Sequence, residues 1–178
     1  MKKTVFLPLI AILAAAAILF GISLALNGIA NKNAQAAHLK DLQTLLPGST
    51  QFTLETYTGD DTNIKSVHKG ETGFVIETVT AGYAGDITMF VGVSTEGKVT
   101  GLVVRDMSET LGLGAQALTD WEFLAQFLNS EGDEEIGTNV DAITGATVTS
   151  KAVARAITSA VAYVTGADID SGATAWGG

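Results

Sequence analysis

Two runs, Asp86-Ile87-Thr88-Met89-Phe90-Val91-Gly92-Val93-Ser94 and Lys98-Val99-Thr100-Gly101-Leu102-Val103-Val104-Arg105, flank Thr95-Glu96-Gly97 and decide the architecture. Both are rich in β-branched and aromatic residues, which suit a pleated, half-buried surface. The turn between them contains Gly97, which takes positive φ without penalty, so the stretch predicts an antiparallel hairpin with strands over about 86–94 and 98–105. Similar runs upstream predict strands at about 51–58, 64–68 and 73–80. In the last of these Phe74, Ile76 and Val79 sit among Thr78 and Thr80. Downstream the period changes. Residues 120–128 read as a short helix capped by Thr119 or Asp120, with Trp121 assigned to core packing. Residues 149–164 form the clearest amphipathic helix, with Val153, Ile157, Ala160, Val161 and Val164 on one face. A further helix is expected over about 34–46, closed by Pro47-Gly48. The sum is an α+β domain, an antiparallel sheet with helices.

The 178 residues are 47% hydrophobic and 16% charged, too apolar for a disordered chain. A net charge of −9 argues against nucleic acid, whose phosphates need clustered Lys and Arg. Without Cys there is no disulfide, thiolate metal site or Cys-ligated cluster. Two His, His38 and His68, make a His-based zinc site a poor expectation, and no metal site is assigned. His68 falls on a strand and reads as exposed. The acidic turn Asp133-Glu134-Glu135 reads as solvated surface. All nineteen carboxylates lie at Asp41 or later, where six basic residues leave a net charge of −13.

The apolar excess sits at the front. Thr4 to Leu26 is 23 residues without a charge, thirteen of them Leu, Ile, Val or Phe. At about 1.5 Å per residue such a helix matches a hydrocarbon core about 30 Å thick. Ala34-x-Ala36 resembles a signal-peptide cleavage site, but the apolar run exceeds a signal peptide's, so a retained transmembrane anchor is the better reading. Lys2 and Lys3 are expected to keep the N-terminus in the cytoplasm and put the later residues on the extracytoplasmic face of the cytoplasmic membrane. The expected division is an anchor over 1–30, a stalk over 31–48, a domain over 49–166 and a tail over 167–178.

Chemistry is expected where Asp141-Ala142-Ile143-Thr144-Gly145-Ala146-Thr147-Val148-Thr149-Ser150 enters the last helix. A helix start offers unpaired amides and a positive dipole end, which suit a phosphate. Gly145 and Ala146 let the backbone approach closely, and Thr144, Thr147, Thr149 and Ser150 supply hydroxyls. An ordinary helix cap would use the same residues. The stretch resembles the flavinylation motif of the FMN-binding domain family, roughly Asp-x-x-Ser/Thr-Gly-Ala-Thr-x-Ser/Thr. Glu109-Thr110-Leu111-Gly112-Leu113-Gly114 resembles that family's Glu-Thr-Pro-Gly-Leu-Gly loop, which lies against the flavin. Gly82-Tyr83-Ala84-Gly85 ahead of the hairpin also fits the layout, and the resemblance covers about residues 73–165. Leu111 stands where the family has Pro, Thr144 where Ser is common, and Met107-Ser108 where a His-containing lead-in is usual.

The resemblance implies FMN esterified through its phosphate to Thr147. It also implies cofactor contacts from Thr144, Gly145, Ala146, Thr149, Glu109, Thr110, Gly112, Leu113 and Gly114, with Leu113 over one ring face. No catalytic residue is assigned, because the flavin carries the redox chemistry. Ser171-Gly172-Ala173-Thr174 repeats the four letters, but no helix can follow it, so Thr174 is a decoy. Thr147 has no local base to activate it, so a separate flavin transferase is expected as a maturation partner. The family includes the G subunit of the Rnf complex and the C subunit of the sodium-pumping NADH:quinone reductase, and the short chain is nearer the former. The implied role is a membrane-anchored redox subunit of an ion-translocating ferredoxin:NAD oxidoreductase, partnered by other subunits and the lipid bilayer. A covalent-FMN subunit of another membrane redox chain, or a non-redox anchored binding module, are the alternatives.

Overall fold

The computed structural model describes residues 33, 35–109 and 114–167. The apolar run over 4–26, the loop residues Thr110, Leu111, Gly112 and Leu113, and the tail with Thr174 and Trp176 lie outside the described residues. Among the described residues no helix is long and apolar enough to cross a membrane. The chain divides into two compact units, Met1–Lys40 and Asp41–Gly178. Residues 35–45 are helical and are named α1.

The second unit is built on five strands: β1 (Thr53–Glu55), β2 (Ile64–Lys69), β3 (Gly73–Ala81), β4 (Asp86–Ser94) and β5 (Val99–Met107). Every neighbouring pair is antiparallel and the spatial order follows the chain, β1-β2-β3-β4-β5. The expected hairpin joins β4 and β5: Ser94 N–H donates to Lys98 O at 2.8 Å, and Gly97 takes φ +81°. Strand β1 is shorter than the expected 51–58. Three helices follow: α2 (Gly114–Ala117), absent from the sequence reading, α3 (Trp121–Ala125) and α4 (Thr147–Thr165). Asp120 caps α3, accepting from Glu122 and Phe123 amides at 3.0 and 3.2 Å.

Helix α4 lies across β3 and β4. The strand period of two sends Ile87, Met89, Val91 and Val93 to the same face, where they form one core with Ile76, Val153, Ile157, Ala160 and Val161. The alanines at 152, 156 and 160 are fully buried and let the helix approach the sheet, where Thr80 Oγ1 donates to Ala152 O at 3.0 Å. On the opposite face Leu42, Leu45 and Leu46 pack with Val75 and Phe90. There the chain runs so close to the sheet that a Cβ on Gly92 would overlap the Leu45 carbonyl, and Thr100 Oγ1 donates to that carbonyl at 2.6 Å.

Three surface expectations need correction. Trp121 is 74% exposed, not in the core, because Phe123 and Phe127 take the inward face of the segment and leave Trp121 on the other side. His68 is half-buried, its ring edge-on to Phe90 at 6.1 Å. Glu134 is only 7% exposed, because Asn139 folds the acidic turn inward by accepting from Glu135 N at 2.7 Å and donating to Asp133 O at 3.1 Å.

Candidate functional site

The lead-in to α4 is a tight turn. Ala146 N–H donates to Ile143 O at 2.9 Å, and Gly145, at φ +81°, occupies the position where such a turn needs a left-handed residue. Ser150 ties the turn to the helix: its hydroxyl donates to Ala146 O at 3.0 Å and accepts from Ile143 N at 3.4 Å. Helix α4 therefore begins at Thr147, two residues before the expected start, and Ala146 at the N-cap supplies no side-chain acceptor. The ordinary Ser/Thr cap is thus absent. Ser150 N–H donates to Ala146 O at 2.8 Å, while the amides of Thr147, Val148 and Thr149 have no acceptor among the described residues. These three donors stand at the positive end of a helix nineteen residues long, where a negative charge is favoured. Thr144, Gly145 and Thr147 are exposed there, whereas Ala146, Thr149 and Ser150 are buried.

Glu109 reaches the same place from the end of β5. Its Oε1 accepts from Tyr83 N at 2.6 Å, holding the β3–β4 turn, and it lies where a Cβ on Gly82 would be. Its Oε2 is buried without a hydrogen-bond partner among the described residues, and so is Oγ1 of Thr149, which is 1% exposed. A Cβ on Gly114 would overlap Glu109 Oε2 and stand 2.7 Å from Thr149 Oγ1, so a side chain there would displace the glutamate carboxylate. Each buried unsatisfied polar atom costs about 1–3 kcal/mol, more when charged. Glu109 and Gly114 thus converge with Thr149, which is distant from both in sequence, and the contiguous residues Thr144, Gly145, Ala146 and Thr147 border them along the helix start. Thr110, Gly112 and Leu113 lie outside the described residues, but the residues on either side of that loop, Glu109 and Gly114, both belong to the site.

The two nearby cations differ. Arg155 donates to Ala81 O at 2.7 Å, anchoring the end of β3 to α4, and burial pushes its guanidinium below the ordinary value. Lys151, one turn beyond Thr147 and on the same helix face, is exposed and has no ion-pair partner among the described residues. Along the outer edge of β5 an open groove of about 570 Å³ runs past Val104, Met107, Leu118, Trp121 and Leu124. The sequence reading missed both the groove and the Glu109–Tyr83 link. The signal for the groove was available, since a Trp two residues before the buried Phe123 points away from the core.

Residues 82–162 match the FMN-binding domain family. That span opens at the β3–β4 turn and closes in α4, so it contains Tyr83, Glu109, Gly114, Thr147 and Thr149. The G subunit of the Na(+)-translocating ferredoxin:NAD(+) oxidoreductase complex of Acetobacterium woodii is 39% identical over 92 residues, 46% of this chain and 44% of that one. The proton-translocating counterpart from Clostridium ljungdahlii is 38% identical over 99 residues, 52% and 53% of the two chains. This chain thus spans about half the length of those two relatives. The G subunit of the ion-translocating oxidoreductase complex of Methanosarcina acetivorans is 35% identical over 177 residues, covering 90% of this chain and 93% of that one. The chain belongs to the family of ion-translocating oxidoreductase G subunits. In this G-subunit relative the five-stranded antiparallel sheet and α4 are the α+β frame of an FMN-binding domain.

Proposed function

We propose that the chain is the membrane-anchored flavin subunit of a complex that passes electrons between reduced ferredoxin and NAD and couples the transfer to sodium or proton movement. In this reading FMN is held by a phosphoester to Thr147. The observation that carries it is the exposed Thr147 hydroxyl beside three unpaired amides at the start of α4. The residues present fit the group. The amides and helix dipole oppose the phosphate's charge, Lys151 adds a mobile cation, and the missing side chain of Gly145 leaves the backbone open. Trp121 and Met107, both exposed along the groove, offer apolar surface to a flat ring. When bound, FMN supplies the electron-carrying chemistry.

Attachment needs a donor and a separate enzyme. Thr147 Oγ1 would gain the bond to the FMN phosphorus of FAD as the pyrophosphate bond breaks and AMP departs, with the hydroxyl proton passing to the transferase. Thr147 is accessible for this, whereas Thr149 and Ser150 are buried. A permanent bond also suits a region, residues 41–178, whose net charge of −13 repels a phosphate and whose cofactor would otherwise leave by mass action. The apolar run over 4–26 would hold the domain to the extracytoplasmic face, with a stalk to residue 48, the flavin domain over 49–166 and a tail beyond. Expression with a flavin transferase and denaturing electrophoresis test the reading. A fluorescent band should vanish in Thr147→Ala and persist in Thr174→Ala; a colourless wild-type band would point to a non-redox anchored module.

A further inference from the structure

Resting on the reading of the chain as one subunit of a complex, the outer edge of β5 carries a further assignment. The two edges of the sheet differ. Strand β1 is three residues long and offers little to pair with, whereas β5 is nine residues long. The start of β5 is closed off: Val99 N–H donates to Ser130 O at 3.0 Å, and Val99 O accepts from Asn129 N at 2.8 Å. At its end the Asp106 carboxylate takes the Met107 amide at 2.9 Å. From Thr100 to Asp106 the backbone pairs only with β4 among the described residues. Beside this open stretch runs the groove of about 570 Å³, whose apolar wall is Leu102, Val104, Met107, Leu118, Trp121 and Leu124. Charge selects the occupant. Asp106 lines the groove and Asp120 and Glu122 flank Trp121, while Arg105, also in the lining, is paired with Asp41 at 2.7 Å. The tail over 167–178 carries Asp168, Asp170 and no basic residue, and a second copy brings a net charge of −13 over residues 41–178, so this acidic rim repels both. A bilayer offers nothing to the backbone groups of the strand. An extended polypeptide with apolar side chains and neighbouring Lys or Arg satisfies the backbone, the groove and the rim together.

We propose that β5 accepts a sixth strand from another subunit of the complex, a segment whose alternate apolar side chains enter the groove beside Trp121 and whose basic residues meet Asp106 and Glu122. Main-chain hydrogen bonds along 100–106 supply affinity, and the groove and its acidic rim supply specificity. The added strand runs beside β5 towards Met107, two residues before Glu109, so the partner lies next to the helix-start site without using its residues.

The test uses the full chain in the purified membrane complex. Trp121→benzoylphenylalanine places a photo-cross-linking probe in the groove, and Leu54→benzoylphenylalanine, exposed on the β1 edge, is the control. Irradiation and peptide mass spectrometry should join position 121 to a peptide of another subunit that carries Lys or Arg beside apolar residues, with no such product from position 54. Amide hydrogen exchange over 100–106 should be roughly tenfold slower in the complex than in the isolated full chain, which side-chain contact alone would not produce. Glu122→Lys should cut the yield of the cross-link several-fold. A product with residues 167–178, with a second copy or with lipid would overturn the docking, as would no product, equal products from both positions, or unchanged exchange in β5. A product that forms only when Thr147→Ala removes the flavin would give the groove to the ring and overturn it too. A chain that purifies without any other subunit would instead overturn the functional reading, and the docking with it.

Discussion

Gly92 and Gly101 face each other across β4 and β5, and the end of α1 rests on both. Substituting each by Ala separates a backbone collision from a tight contact that a shift of a few tenths of an ångström relieves. A Cβ on Gly92 would overlap the Leu45 carbonyl oxygen and stand 2.8 Å from Thr100 Oγ1; on Gly101 it would meet Leu45 Cα and O at 3.1 Å. Neither glycine has positive φ, so Ala gains about 0.4–1 kcal/mol from a less flexible unfolded chain. At Gly92 that gain is outweighed. The segment must lift, breaking the Thr100–Leu45 hydrogen bond, worth about 1 kcal/mol net, and straining the packing by a further 1–3 kcal/mol or so. Gly92→Ala should therefore lose roughly 2–3 kcal/mol, about 5–15 °C in Tm, while Gly101→Ala stays within about 1 kcal/mol of wild type. Urea unfolding of the full chain in detergent, followed by circular dichroism, measures both. A Gly92→Ala variant as stable as Gly101→Ala would refute the close seating of Leu45 on the sheet.

Ile157→Ala removes a fully buried side chain from the core between α4 and the sheet and should cost about 2–5 kcal/mol in urea unfolding. Asp120→Ala deletes an N-cap that accepts two amides, with an expected loss of about 1 kcal/mol in the same assay. Burial, and next the Glu55 carboxylate, push the Tyr163 phenol above its ordinary value of 10.0. The unfolded chain then loses its proton first, so this contribution to stability is present below pH 10 and declines above it. Tyr163→Phe should flatten the fall of Tm between about pH 10 and 11, and an unchanged slope would contradict the assignment.

The sheet was readable because each strand is a β-rich run bounded by turn residues, and four of the five fall within two residues of the runs in the sequence. The start of α4 is misplaced by the pattern because hydroxyl residues suggest a side-chain cap, whereas the turn closed by Gly145 and Ser150 starts the helix without one. Local patterning also marks the Thr144–Thr149 stretch. It carries no information that Glu109 bridges the β3–β4 turn and α4, because that convergence depends on how β5 ends beside a helix some forty residues later. Hydrophobicity alone puts Trp121 inward; helical geometry around Phe123 turns it outward.

Mass spectrometry of peptides from natively produced protein addresses the central claim most directly. The account predicts that the peptide containing Thr147 carries the added mass of FMN, with fragmentation placing it on that hydroxyl. An unmodified peptide, or a flavin located on Thr174, would contradict it.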